Sequence, residues 1–158
     1  MKKGILVLLL LWITAPTLQA QEDDLALYCA KIVQEKDFNK SIIYRSPPTN
    51  EIVFSRFIKK GKPIYMVHLK KIQRLKEAGY GATILLENGL RIYKHLKVSI
   101  RITDENEFEH YVHFVLEDTD RELLLNNLIT DVVLHKISFV VQKPEKYQAY
   151  LKCIEKMP

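Results

Sequence analysis

Apolar and polar residues alternate along much of the chain, the period of two expected of half-buried strands. "KVSIRIT" shows it most cleanly: Val98, Ile100 and Ile102 share one face, and Lys97, Ser99, Arg101 and Thr103 take the other. "EIVFSRFI" (Glu51 to Ile58) and "PIYMVHL" (Pro63 to Leu69) are rich in β-branched and aromatic residues. The "KKGK" turn between them, pivoting on Gly61, predicts a hairpin. In "ATILLENGLRIY", Asn88-Gly89 between two apolar runs predicts a second hairpin with a type I′ turn, which needs positive φ at both central residues. "FEHYVHFVL" adds a strand after the acidic turn "DENE", and "LITDVVLHKISFVV" adds one or two more. Alternation, rather than continuous apolar runs, predicts an antiparallel sheet with one covered face.

A period nearer three marks the helices. In "LKKIQRLKEAG", Leu69, Ile72, Leu75 and Ala78 recur every third residue and Gly79 can end a helix, so a short helix is expected there. Thr119 and Glu122 form a capping box in "TDRE" that opens another through "LLLNN". Pro144 suits a helix start, and Tyr147, Tyr150, Leu151 and Ile154 trace one apolar face of a C-terminal helix. "LALYCAKIV" (Leu25 to Val33) fits helix or strand, and Pro47-Pro48 with Thr49 and Asn50 marks a loop. The expected fold is α+β: mainly an antiparallel sheet of hairpins and meander with two or three short helices. No internal repeat, linker or low-complexity stretch divides it, so one domain is expected from 21 to 158.

The N-terminus changes the picture of where that domain resides. Lys2 and Lys3 precede nine apolar residues (Ile5 to Ile13), Pro16 breaks the run, and "TLQA" ends in the small Ala20. A basic end, a short apolar core and a small-residue exit predict a signal peptide over residues 1–20. The apolar run is far short of the roughly 20 residues that span a bilayer. Cleavage leaves 138 residues and, with Lys2 and Lys3 gone, lowers the formal charge from +5 to +3. So mild a charge gives no reason to expect a nucleic-acid partner. The two cysteines, Cys29 and Cys153, allow one intramolecular pairing in an oxidising compartment; the other reading is two separate buried thiols.

Candidate chemistry is sparse. His110 and His113 sit among acids in "EFEHYVHF", but residues three apart in a strand face opposite ways and cannot share an ion, so no metal is expected. "GYGATI" (Gly79 to Ile84) lacks the third glycine and the helix of a dinucleotide fingerprint, and reads as a turn. No nucleophile motif is present, so no catalytic residue and no cofactor is assigned. Asp104, Glu105, Glu107 and Glu109 cluster in what reads as a solvated turn. The basic residues Lys59, Lys60, Lys62, Lys70, Lys71 and Arg74, extending to Lys76, are a candidate anion-binding patch.

"YGATILLENGLRI", "KVSIRIT", "FEHYVHFVLEDTDRELLLNNLITDVVL", the late cysteine in "YQAYLKCIEK" and the early Cys29 before Glu35-Lys36-Asp37 together resemble small exported proteins of Bacteroidota-type bacteria. The resemblance covers most of the chain after residue 20 and implies export and a Cys29–Cys153 bridge. It carries over no functional residue. The expectation is an exported, non-enzymatic domain that binds a protein partner or an envelope component. An enzyme with a spatially assembled site, or a polyanion binder using Lys59 to Lys76, are the alternatives.

Overall fold

The structure, a computed structural model, describes residues 25–36 and 41–158; the expected signal peptide lies outside them. After a helical turn at 25–29 (α1) come strands β1 (Val33–Lys36), β2 (Ile42–Arg45), β3 (Ile52–Lys59), β4 (Lys62–Gln73), β5 (Gly79–Leu86), β6 (Arg91–Ile102) and β7 (Phe108–Val115). Helix α2 (Asp118–Asn126), strands β8 (Ile129–Leu134) and β9 (Ile137–Val140) and helix α3 (Pro144–Lys156) complete it. Among the described residues the nine strands form one sheet in the order β1-β2-β3-β4-β7-β6-β5-β8-β9, and every neighbouring pair is antiparallel. The expected β-rich α+β class with a C-terminal helix is what the chain adopts.

The long strand β6 joins two half-sheets. Its first part pairs with β5 as far as Val98, and Ser99 to Ile102 pair with β7. Helix α3 packs against both β3 and β8. In a flat sheet those strands would stand about 24 Å apart at ~4.8 Å per strand, far more than a helix roughly 10 Å across can bridge. The sheet therefore curls around α3. Tyr147, Tyr150, Leu151 and Ile154, the face expected from helical spacing, are all buried there against Ile52, Phe54, Ile84 and Val132. Lys71 of β4 lies 4.9 Å from the Phe139 ring of β9, which brings the two half-sheets together on the inner side.

The Cys29–Cys153 bridge is present, with a Cα–Cα distance of 5.1 Å, and it ties α1 to α3 beside an edge-on contact of Tyr28 with Tyr150. The ambiguous stretch after Leu25 resolves into helix and then strand.

Two local expectations are overturned, each by tertiary pairing. The helix expected over "LKKIQRLKEAG" is strand: β4 continues to Gln73 because its partner β7 reaches Phe108 opposite it. Ile72 and Leu75, two residues of the supposed apolar face, are exposed. At Asn88-Gly89 only Gly89 has positive φ, so the turn is not type I′. Gly89 N–H donates to Leu86 O and Leu86 N–H to Leu90 O, a type I turn followed by a left-handed glycine. A type I′ loop would set Ile84 opposite Tyr93; the observed register sets Ile84 opposite Ile92 and buries both, so the apolar pattern overrides the turn dipeptide. The type I′ geometry falls instead on Lys60-Gly61, where both φ angles are positive and Lys59 pairs with Lys62.

Two smaller corrections follow. Helix α2 starts two residues earlier than expected, with Glu117 and Asp120 as the capping box in place of Thr119 and Glu122. "GYGATI" is strand with a bulge between Tyr80 and Ala82, not a turn.

Candidate functional site

The helices cover the inner face of the sheet. On the half built from β2, β3, β4, β7 and the end of β6, the opposite face is uncovered. Alternation puts every second residue there: Val53, Ser55 and Phe57 of β3, His68 and Lys70 of β4, Glu109, Tyr111 and His113 of β7, and Arg101 of β6. Residues of this face line a cleft of about 440 Å³.

Cross-strand register assembles its centre. His68 stands opposite His113, and its ring stacks with Tyr111 at 5.7 Å and with His113 at 6.3 Å between centroids. Arg101 stands opposite Glu109, and its Nη2 donates to both carboxylate oxygens at 3.0 Å. That hydrogen bond, with the carboxylate charge behind it, raises the Arg101 pKa. Its guanidinium carbon also lies 5.9 Å from the Tyr111 ring centroid. Arg45 approaches from β2, held at 3.1 Å by Glu35 of β1. Lys70 donates to the Pro48 carbonyl at 2.5 Å and has no carboxylate partner among the described residues.

Burial is the main cause that lowers the His68 pKa below the ordinary imidazole value. Lys70, His113 and Arg45 add to it, and Glu109 opposes it. The cleft's lining holds three permanent cations, Arg45, Lys70 and Arg101, against one carboxylate, Glu109. Its floor is apolar, with Val53, Phe57 and Met66. Such a site favours a ligand that is part apolar and part anionic.

The basic residues singled out in the sequence do not gather into one patch. Lys59, Lys60 and Lys62 are exposed at the tip of the β3–β4 hairpin. Lys70 is eight residues along β4, about 26 Å away at ~3.3 Å per residue. Lys71 points to the inner face and forms an ion pair with Glu51, and Arg74 sits 3.8 Å from Glu107. Of the six, only Lys70 lines the cleft.

The two histidines of "EFEHYVHF" point to opposite faces, as strand geometry requires. His110 is fully buried on the inner side, accepting from the Glu77 N–H at Nε2 (3.0 Å) and lying 3.2 Å from Phe108 O at Nδ1. It pins the β4–β5 connection. His113 faces the cleft. Of the acidic cluster, Asp104 and Glu105 are exposed in the turn, whereas Glu109 is buried in the cleft wall.

The side-chain grouping that a linear reading misses is thus His68 with Tyr111 and His113. A signal for it exists in the sequence: His68-Lys70 and Glu109-Tyr111-His113 fall on the outward positions of neighbouring strands. Seeing it requires the β4–β7 register.

A second aromatic group lies on the other half-sheet. Tyr80 stacks on His95 at 5.5 Å, and the Tyr93 hydroxyl is 3.1 Å from His95 Nδ1. Both tyrosines are exposed, and Tyr93 covers the bare backbone of Gly81. No helix among the described residues is long and apolar enough to cross a membrane. Comparison of the chain with protein-family models, with characterised proteins and with solved structures gives no match.

Proposed function

We propose that the protein is an exported, non-enzymatic binding domain of the bacterial cell envelope, and that the uncovered cleft over β3, β4 and β7 is its ligand site. The observation that carries this reading is the cleft itself. It is open, part apolar and part cationic, and of a size that suits a small ligand or one residue cluster of a partner. The groups within it are arranged to hold rather than to react. Both oxygens of Glu109, its one carboxylate, are taken by Arg101, and His68 is engaged by the rings of Tyr111 and His113 rather than by a nucleophile. Export is supported by the N-terminal pattern of Lys2, Lys3 and the Ile5–Ile13 run, together with the bridge between Cys29 and Cys153.

The enzyme reading keeps one observation in its favour, the lowered pKa of His68, since perturbed histidines concentrate at catalytic sites. It requires a reacting group within hydrogen-bond reach of that imidazole. The polyanion reading is weakened by the separation of the hairpin-tip lysines from Lys70.

Two measurements test the proposal. Intact mass of the protein from its native host, with and without reduction, is expected to start at Gln21 and to show no alkylation until the bridge is reduced. A retained Met1 with two reactive thiols overturns the export part. Amide and imidazole NMR of the oxidised protein titrated with fractionated envelope extract is expected to shift β4 and β7 resonances around His68, Tyr111 and His113. Shifts confined to the Tyr80–Tyr93 surface or to the Lys59–Lys62 tip would place binding elsewhere.

A further inference from the structure

We infer that the cleft takes a small organic anion, a carboxylate, sulfate or phosphate carried on a flat apolar body, and that the bound anion draws a proton onto His68. The inference rests on the binding reading above and names its ligand class.

Charge complementarity points to an anion. Three permanent cations line the cleft; Arg101 is paired with Glu109 and Arg45 with Glu35, which leaves Lys70 without an acid. Lys70 is the free charge: its ammonium leans on a carbonyl, and no acid neutralises it among the described residues. An anion arriving beside it gains a partner without displacing an ion pair. Exclusion of water by the apolar floor strengthens that attraction.

Shape points to a flat body. Val53, Phe57 and Met66 form the floor, while Tyr111 and His68 stand as near-parallel rings, 16° apart, at its side. A planar ligand laid on this surface covers apolar area and presents its charged edge to Lys70 and Arg45.

The proton follows from the same charges. Around His68 stand Lys70 on its own strand, Glu109, Tyr111 and His113 from β7, Arg101 from β6 and Arg45 from β2; β3 contributes only uncharged residues. Burial first, then Lys70, His113 and Arg45, resist protonation of His68, and Glu109 favours it. A bound anion adds a second negative charge and turns the balance. Protonation and binding are then linked, each favouring the other by the same factor.

The experiment is calorimetric and NMR titration of the full-length mature, oxidised protein with 2-naphthoate, its neutral analogue 2-naphthamide and inorganic sulfate, at pH 8.0 and 5.5. Naphthoate stays ionised at both pH values, so a change in its affinity reports on the protein. The expected result is saturable naphthoate binding that is severalfold tighter at pH 5.5 than at pH 8.0. Shifts should centre on His68, Tyr111 and His113. The amide is expected to bind at least about tenfold more weakly, the cost of losing one charge-assisted contact. Lys70→Gln should weaken naphthoate at both pH values, and His68→Gln should remove most of the pH dependence; matching amide spectra elsewhere show that each variant is folded.

Equal affinity for the amide overturns the anion and leaves a neutral-ligand cleft. Sulfate binding as tightly as naphthoate overturns the flat apolar body, since the apolar floor would then play no part. Flat or reversed pH dependence overturns the proton linkage. No saturation below about 10 mM, a negligible affinity, sinks the inference, while the envelope-extract titration still decides the binding reading by itself.

Discussion

Removing the Cys29–Cys153 bridge perturbs the fold in a way whose size can be worked out in advance. The bridge spans a sequence separation of 124 residues, nearly the whole chain after residue 20. If it acts by restricting the unfolded chain, a loop of that length gives about 4–5 kcal/mol at 25 °C. The native state should keep most of its packing without it. Helix α3 is seated by Tyr147, Tyr150, Leu151 and Ile154, none of which needs the sulfur link. Residues 25–32 are held less firmly, by the edge contact of Tyr28 on Tyr150 and by partial burial of Ile32 against the core. The Cys29→Ala/Cys153→Ala variant should therefore fold to the same sheet while its urea midpoint falls by about 2 M, taking a slope of ~2 kcal/mol/M. Circular dichroism and tryptophan-independent probes such as amide exchange measure it, because the chain's one tryptophan lies in the segment expected to be cleaved. Exchange should quicken first at residues 25–32. A midpoint change under about 0.5 M, or ~1 kcal/mol, would refute the argument that the bridge closes the unfolded chain.

Other perturbations probe the close contacts. Gly79→Ala places a Cβ 2.4 Å from the His135 ring and should cost about 1–3 kcal/mol in urea unfolding. Combining it with His135→Gly should recover most of that, since His135 also holds a left-handed φ of 56° that glycine adopts freely; additive losses would disprove the clash. Leu151→Ala, at the buried centre of α3, should cost about 2–5 kcal/mol, and a loss below ~1 kcal/mol would show that α3 does not anchor the curled sheet. Burial, reinforced by the Glu51 charge, pushes the Tyr147 phenol up to about 12. Its folded pKa thus lies above the unfolded value, so its contribution to stability is complete below pH 10 and is lost as pH rises from 10 toward 12. Urea midpoints at pH 9 and 11 should fall further for the natural protein than for Tyr147→Phe, and equal falls would count against a buried neutral phenol.

Much of the sheet was legible because its inner face is written as alternation. Ile52, Phe54, Tyr65, Val67, Leu69, Val112 and Phe114 all fall where period two predicts, and all are buried. The C-terminal helix was equally plain. What failed was local signal in competition with pairing. The three-residue recurrence of Leu69, Ile72 and Leu75 lost to eight consecutive β4–β7 pairs, and Asn88-Gly89 lost its preferred turn to the joint burial of Ile84 and Ile92. In both cases a preference worth a fraction of a kcal/mol to about one faced the burial of whole side chains, each worth roughly 1.5–3 kcal/mol. Turn and helix propensities yield wherever a neighbouring strand supplies a competing pattern.

The cleft was illegible for a different reason. An outward face carries no apolar rhythm to flag it, and its residues are spread over positions 43 to 113 with no shared motif. The basic run drew attention because its members are close in sequence, yet Lys70 and Lys71 point to opposite faces and the hairpin carries Lys60 far from both. Proximity along a strand separates side chains, whereas register across strands joins them: His68 and His113, 45 positions apart, stand opposite each other. A site of this kind is made by pairing, and it becomes visible once the order of β3, β4, β7 and β6 is known. The same logic locates its control. Because His68 is flanked by a lysine two positions along its own strand and a histidine across from it, any change in the β4–β7 register would dissolve the stack, the positive field and the proposed proton linkage together. Fold and site therefore stand on the same eight backbone pairings, and an insertion of one residue between Val67 and His68 should abolish the proposed ligand binding by turning His68 to the inner face.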